Sequence, residues 1–328
     1  MKIACSNRRT FILGASSLAF SPLLGHEDAM PPFLRFGVVS DIHITYRGLK
    51  NRCYEYGSAH TFVHALEYFK SRGVHAVVVP GDLADRGIPA NLDVVANAWR
   101  EVFPEDDMPR VFIYGNHDAD ALWFDRCSGL LKDKSAEEQA SLRASCIARN
   151  EASCWRRSFH EEWMPVGMKT VNGYHFVYCN WGHEKDVPAF LSRHERELSG
   201  SKPFFYVQHR HLRGTLYGGA PCDADDGTVA KVLKAFPNAV TFSGHSHISL
   251  TVPNSCCRGD FLSIGTSSLS YLSSFGRPKG AGRDGREGML VSVYADEIVV
   301  ERREFMRDES LGLDWHIPIS NAATVEKS

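Results

Sequence analysis

Beyond its N-terminal segment, the chain alternates short apolar runs with segments whose apolar residues recur every three or four positions. Within 60–71, Phe62, Leu66 and Phe69 share one helical face, and 91–102 repeats this spacing. Runs of β-branched and aromatic residues that end at Gly, Pro, Asn or Asp predict strands. The predicted strands are 34–40, 74–79, 110–114, 174–179, 203–208, 239–243 and 260–264, followed by a hairpin of 288–294 and 297–303. The alternation predicts a layered α/β fold, and the late strands without intervening helices predict mixed sheets.

A charged, helix-prone stretch interrupts this rhythm between residues 119 and 171. It contains the run SAEEQASLRASCIARNEAS, in which good helix formers dominate. Neither internal repeats nor a low-complexity linker separate it from the rest of the chain. We therefore interpret 119–171 as a helical insertion within one domain that covers 30–328.

The N-terminal segment 1–29 has the pattern of an export signal. Arg8 and Arg9 directly precede an apolar stretch, 11–24, which is too short to span a bilayer. The pair and the stretch resemble the twin-arginine (Tat-type) signal peptide of bacteria. This predicts a periplasmic or otherwise extracytoplasmic protein, with membrane attachment only if the signal is retained as an anchor.

Composition narrows the classes of function. Of 328 residues, 43% are hydrophobic and 23% charged, which is ordinary for a globular protein and excludes a wholly disordered chain. The formal net charge of −2 argues against duplex nucleic acid as the partner. The 15 histidines and 9 cysteines raise the question of a metal site. No cysteine pair has CxxC spacing, so a zinc ribbon is not indicated, and Cys179 in an apolar run is predicted to be a buried thiol.

Five short polar motifs each follow a predicted strand, where α/β folds place their ligands. Carboxylates and imidazoles without cysteine suit Zn, Mn or Fe rather than Ca. The glycines in three of the motifs allow tight turns. The motifs are Asp41-Ile42-His43, Gly81-Asp82, Gly115-Asn116-His117-Asp118, Gln208-His209 and Gly244-His245-Ser246-His247.

The order DxH, GD, GNHD, H and GHxH resembles the calcineurin-like metallophosphoesterase superfamily. The resemblance implies a four-layer α/β/β/α sandwich of two mixed β-sheets flanked by helices. It also implies a binuclear, metal-dependent phosphoesterase that hydrolyses phosphomonoesters or phosphodiesters by direct attack of a metal-bridging hydroxide. The cofactors would be two divalent or trivalent ions, whether Mn, Fe, Zn or Mg, and the substrate a small phosphorylated molecule.

The resemblance also implies a role for each residue. His117 would be the catalytic histidine that protonates the leaving oxygen, and Asp118 would orient it. It assigns Asp41, His43 and His247 to the first metal, Asp82 to the bridge, and Asn116, His209 and His245 to the second metal.

Other positions depart from relatives or leave their role open. Asp85 stands where purple acid phosphatases carry a tyrosine iron ligand, which argues against a purple iron–tyrosinate site. Asn180 and His183 follow a predicted strand and are candidates for substrate binding. His211, where many relatives have proline, is a third candidate; its alternative is a polar loop residue.

Two other functions compete with hydrolysis. The first is a metal-binding scaffold or partner-binding protein with reduced catalysis. Such a protein has no chemical need for both His117 and the full ligand set, and the presence of both argues against it. A nuclease is the further alternative, against which the near-neutral charge and the lack of a basic, aromatic-rich groove argue.

Overall fold

The computed structural model describes residues 30–44, 58–85, 89–119, 131, 133–149, 153–217 and 224–319. The chain divides into a unit Met1–Pro31 and a unit Pro32–Ser328. The predicted signal, 1–29, lies outside the described residues. None of the described helices is both long and apolar enough to cross a bilayer.

The first sheet is mixed and contains seven strands within the described residues. Its order is β12-β11-β10-β1-β2-β3, with β13 paired to β11; β1, β2 and β3 run parallel, and β10 joins β1 antiparallel. The strands are β1 (Leu34–Val38), β2 (Ala76–Val79), β3 (Arg110–Phe112), β10 (Glu287–Val293), β11 (Glu297–Glu304), β12 (Glu309–Ser310) and β13 (Trp315–Pro318).

The second sheet is also mixed, with six strands in the described part of the chain and the order β4-β5-β6-β7-β9-β8. Its four central strands are parallel, and the edge strands β4 and β8 are antiparallel. The strands are β4 (Val166–Val171), β5 (Tyr174–Cys179), β6 (Phe204–Val207), β7 (Ala239–Ser243), β8 (Cys256–Arg258) and β9 (Leu262–Gly265).

Helices cover the outer faces of both sheets. The apolar sides of α1, α2 and α5 pack on the first sheet, and those of α6 and α8 pack on the second. The described helices are α1 (Ser58–Ser71), α2 (Pro89–Val102), α3 (Asn116–Ala119), α4 (Ala136–Arg149), α5 (Trp155–Phe159), α6 (Val187–Arg193), α7 (Glu195–Leu198) and α8 (Thr228–Leu233).

The two sheets face each other across an aromatic core. The ring centroid of Phe36 lies 5.2 Å from that of Phe176 and 4.8 Å from that of Phe205, both edge-on. Within β2, Val77 and Val79 pack toward the helices while the alternate residues face the other sheet, because successive side chains point to opposite faces of a strand. The predicted α/β fold of two mixed sheets flanked by helices is confirmed.

The predicted insertion is helical only in part. The helices α4 and α5 lie within it, but its last residues form β4, which pairs with β5 across a turn at Asn172 and Gly173. Both turn residues have positive φ, 50° and 73°. Asn-Gly between two apolar runs is a strong hairpin signal, and it indicates that the helical segment ends before residue 166.

Cys179 is a buried free thiol in β5, as predicted. Cys256 and Cys257 are free as well. The remaining cysteine side chains lie outside the described part of the chain.

Candidate metal centre

The predicted ligands gather at one end of the sandwich because each follows a strand. Since β1, β2 and β3 are parallel, their carboxyl ends meet at one edge of the first sheet, and β6 and β7 end likewise in the second. The residues brought there are Asp41 and His43 after β1, Asp82 after β2, Asn116 and His117 after β3, His209 after β6, and His245 and His247 after β7.

Five of these residues have left-handed backbone conformations. A non-glycine residue in this region is destabilised by about 1–3 kcal/mol and persists only where its surroundings enforce it. Here backbone hydrogen bonds do so: the amide of Asp41 donates to the carbonyl of Gly81 at 3.1 Å, and that of His43 to the carbonyl of Asp82 at 3.0 Å. The φ angles are 51° for Asp41, 50° for His43, 51° for Asp82, 70° for His245 and 54° for His247.

One group of potential metal ligands contains Asp41, His43, Asp82 and His247. Each is buried and offers a ligand atom, and these atoms lie within 4.8 Å of one another. The Nε2 atoms of His43 and His247 are 3.2 Å apart, and Nε2 of His247 is 3.1 Å from a carboxylate oxygen of Asp41. The residues predicted for the first metal therefore lie together.

A second group contains Asp82, His209 and His245, again with ligand atoms within 4.8 Å. Nε2 of His209 lies 3.2 Å from Oδ2 of Asp82, 3.1 Å from Oδ1 of Asn116 and 3.2 Å from Nδ1 of His245. Asp82 belongs to both groups, and one carboxylate offers two oxygens. This is the position that a bridging ligand requires.

In His209 and His247, the hydrogen bond made by Nδ1 determines whether Nε2, which points into the cluster, can act as a metal ligand. Nδ1 of His209 donates to the carbonyl of Pro80 at 2.7 Å, and Nδ1 of His247 donates to the carbonyl of Tyr271 at 2.9 Å. Because a carbonyl only accepts, these Nδ1 atoms carry the protons, and in the neutral rings Nε2 presents a lone pair to the cluster. This donor set of buried carboxylates and imidazole lone pairs fits transition-metal ions.

The charges of the site are tightly coupled. Burial alone would raise the pKa of Asp82, but the neighbouring His209 and His117 hold it well below its usual range. Burial would likewise raise the pKa of Asp41, yet His247 and His209 lower it to about 2. Burial would lower the pKa of His209, whereas Asp82 raises it to about 9. In the metal-free chain a proton therefore occupies the cluster side of His209, and a cation must displace it.

His117 lies at the edge of the cluster. Its ring packs edge-on against that of His43, with centroids 4.5 Å apart, and its Nε2 is 4.0 Å from Oδ2 of Asp82. Burial would lower the pKa of His117, but Asp82 and Asp85 raise it to about 9. In the metal-free chain the ring is therefore protonated near neutral pH.

Asp118 was predicted to orient the ring of His117, but Asp85 is the residue whose carboxylate lies near Nδ1 of this ring. The carboxylate of Asp118 accepts hydrogen bonds from the backbone amides of Leu83 at 3.1 Å, Ala84 at 2.8 Å and Gly115 at 2.9 Å, so it joins two turns. The carboxylate of Asp85 lies beside the ring of His117, at 3.5 Å from Nδ1. In the sequence, the position of Asp85 three residues after Asp82 was the feature that could have identified it as a partner of His117.

Asn180 and His211, two of the predicted substrate-binding residues, are buried within the fold. The amide of Tyr114 donates to Oδ1 of Asn180 at 2.6 Å, and Nδ2 of Asn180 donates to the carbonyl of Met164 at 2.7 Å. The ring nitrogens of His211 lie 2.8 Å and 2.6 Å from the hydroxyls of Ser243 and Ser246.

His183, the third, is less buried. Its Nδ1 lies 3.5 Å from a carboxylate oxygen of Asp186, and its ring centroid is 5.3 Å from that of Trp163. A role for these three residues toward a substrate stays a prediction.

The sequence model of the calcineurin-like phosphoesterase family matches residues 34–249, which include every predicted ligand. The chain belongs to the calcineurin-like phosphoesterase family. No curated protein matches the sequence significantly.

Two solved structures of low identity support this calcineurin-like fold with TM-scores above 0.5, and a third is similar over its whole length. Purple acid phosphatase PPD1 from yellow lupin is 11% identical with a TM-score of 0.52, and the match covers 87% of this chain and 53% of that one. GAP50, the anchor in the inner membrane complex of Plasmodium, is 14% identical with a TM-score of 0.52, covering 89% and 90%. A dimetal phosphatase from Danio rerio is 14% identical with a TM-score of 0.49, covering 88% and 100%.

Proposed function

We propose that this calcineurin-like chain hydrolyses phosphomonoesters or phosphodiesters of small molecules at a centre of two metal ions. The observation that carries the proposal is the position of Asp82, which belongs to both ligand groups, with His117 beside it. Asp41, His43 and His247 would hold one ion, and Asn116, His209 and His245 the other. Of the four predicted ions, Mn, Fe and Zn suit this imidazole-rich donor set better than Mg, which prefers oxygen ligands.

Each residue has a chemical task in this proposal. When bound, two cations supply charge neutralisation of the phosphoryl oxygens and acidify a water for attack in line with the leaving group. His117 donates a proton to the leaving oxygen, and Asp85 holds its ring by Nδ1. Asn116 is a neutral ligand, so it adds no negative charge that would repel the phosphate.

Metal content and turnover test this proposal together. The purified chain is loaded with Mn, Fe, Zn or Mg, and hydrolysis of 4-nitrophenyl phosphate and bis(4-nitrophenyl) phosphate is measured. We expect Asp82→Asn to lose metal and turnover, and His117→Asn to keep metal but lose turnover by about 100-fold or more. His194→Asn, at the residue between α6 and α7, is the control for a histidine change and should leave both unchanged.

The outcomes separate the competing functions. Bound metal without metal-dependent turnover of either ester would support the scaffold alternative and overturn hydrolysis. Turnover of single-stranded oligonucleotides far above that of both small esters would support the nuclease. Preference for one ester decides between monoesterase and diesterase.

We further propose twin-arginine export to the periplasm, supported by Arg8-Arg9 and the apolar stretch 11–24. Replacing both arginines with lysine should retain the chain in the cytoplasm, as measured by cell fractionation. Unchanged periplasmic delivery would contradict this route.

A further inference from the structure

Arg210 follows the predicted ligand His209 directly and stacks on Trp181. The guanidinium carbon of Arg210 lies 4.0 Å from the centroid of the Trp181 ring. That ring centroid lies 5.8 Å from the imidazole of His209 and 5.8 Å from that of His245. The arginine and the indole therefore border the second ligand group.

Backbone contacts fix both partners of this stack. The carbonyl of Arg210 accepts a hydrogen bond of 2.8 Å from Nε2 of Gln208, and the amide of Trp181 donates to the carbonyl of Tyr114 at 3.2 Å. The indole face also orients the guanidinium, so less side-chain entropy remains to be lost when a ligand binds. The guanidinium of Arg210 is therefore preorganised before a substrate binds.

The charge of Arg210 has no carboxylate partner within the described part of the chain. Its Nε is shielded from solvent and makes no hydrogen bond there. By contrast, Arg110 pairs with Asp106 and Glu161, and Arg157 pairs with Asp93. An arginine beside the proposed metal centre that has no carboxylate partner among the described residues is suited to a ligand with a negative group.

We propose that Arg210, held by Trp181, determines specificity by binding a second anionic group of the substrate. The metal centre takes the phosphate that is hydrolysed, and the guanidinium takes a carboxylate or second phosphate in the remainder of the molecule. The substrate class is therefore an organic phosphate that carries another negative group. The assignment of this anion to a substrate rests on the proposed hydrolysis, whereas its contact with Arg210 does not.

Arg283 occupies the comparable place at the other ligand group. Its guanidinium carbon lies 4.3 Å from the ring of Tyr271, which in turn lies 4.2 Å from the ring of His247. Arg283 is exposed, however, whereas Arg210 is half-buried, so water weakens its hold on an anion more. Arg283 therefore serves as the rival position in the test.

Non-hydrolysable phosphonates separate binding from turnover. Alkylphosphonates of two to six carbons are titrated calorimetrically into the metal-loaded chain, alongside phosphonocarboxylates of the same lengths. At the length that reaches Arg210, we expect the carboxylate to improve affinity about tenfold, a factor typical of one charge-assisted, two-pronged contact. Arg210→Gln should abolish this gain and leave the plain alkylphosphonate within twofold, which also shows that the site is intact.

Two further variants sharpen the comparison. Arg193→Gln removes another arginine that lies over an aromatic ring, that of Phe190 in α6, and should keep the gain. Arg283→Gln should keep it too.

A gain that persists in Arg210→Gln, or that only Arg283→Gln removes, overturns the proposal. So does the absence of any carboxylate-dependent gain in the unmodified chain. A normal gain without hydrolysis of any ester would leave the anion contact standing and refute the proposed hydrolysis instead.

Discussion

His117 donates its Nδ1 proton to the backbone carbonyl of Asp85 at 2.9 Å, and the carboxylate of the same residue lies 3.5 Å from that nitrogen. One residue therefore both orients the ring and favours its protonated form. Asp85 is buried and lies on the turn that also carries Asp82. The proton donor and the shared ligand are thus positioned by one short segment.

Replacing Asp85 by Asn should lower kcat most for esters with poor leaving groups. The change removes a charge that raises the pKa of His117, while the backbone carbonyl that orients the ring remains. We expect kcat for an alkyl phosphate to fall about tenfold or more, and kcat for 4-nitrophenyl phosphate to fall much less, because nitrophenolate leaves without a proton. Asp93→Asn, on the surface of α2, is the control. Equal losses on both esters would contradict a role through His117.

Much of the site could be predicted because its residues are local to strand ends. Asp41 and His43 follow an apolar run in a fixed spacing, and so do His245 and His247. Parallel strands carry such positions to a common edge whatever the rest of the sequence does. The Asn172-Gly173 dipeptide is likewise a hairpin signal that the sequence shows directly. It predicts a strand, β4, at the end of the segment interpreted as a helical insertion.

The remaining contacts depend on how separate turns pack, which spacing along the chain does not reveal. Asp118 is adjacent to His117, yet its carboxylate turns back to the amides of Leu83 and Ala84. Arg210 meets Trp181 only because β5 and β6 are neighbours in the second sheet. The adjacency of Asp118 and His117 in the sequence therefore did not predict a contact between their side chains. The contact of Arg210 with Trp181 could not be predicted because the two residues are far apart in the sequence.

Removing metal should destabilise the folded chain. Without cations, the buried carboxylates of Asp41 and Asp82 are stabilised by neighbouring imidazoles and by hydrogen bonds from a hydroxyl and backbone amides. A bound ion adds the free energy of its binding. At an ion concentration about 1,000 times Kd this amounts to about 4 kcal/mol per site. We expect a chelator to lower Tm by on the order of 10 °C and reloading to restore it, as measured by calorimetry. Asp82→Asn should be insensitive to the chelator, and a chelator-independent Tm in the unmodified chain would argue against a metal centre.

Gly244→Ala should disable the site without unfolding the chain. A Cβ at this position would overlap Oδ2 of Asp41 and the hydroxyl of Ser40, so the carboxylate must move away from the cluster. We expect metal content to fall at least tenfold, while the far-ultraviolet circular dichroism is retained. Gly259→Ala is the matched control, because nothing lies within 4 Å of the Cβ it would add. Full metal loading of Gly244→Ala would show that Asp41 is not needed in its present position.

The buried His211 should make the chain less stable in mild acid. Burial, aided by the charge of His245, lowers the pKa of His211 from 6.5 to about 3. Below pH 6.5, His211 is therefore protonated in the unfolded chain but stays neutral in the folded chain. The free energy of unfolding then falls by at most about 1.4 kcal/mol for each pH unit of acidification. Between pH 7 and pH 5 this loss amounts to about 2 kcal/mol for one histidine.

His211→Gln lacks this titration but can keep a hydrogen bond to Ser243 or Ser246. Its stability deficit relative to the unmodified chain should therefore shrink by about 2 kcal/mol from pH 7 to pH 5, whatever its size at pH 7. Urea unfolding of both proteins in chelator measures this difference free of metal release. Parallel stability curves over that range would mean that His211 takes up its proton in the folded chain as readily as in the unfolded one, and so that its ring is open to water.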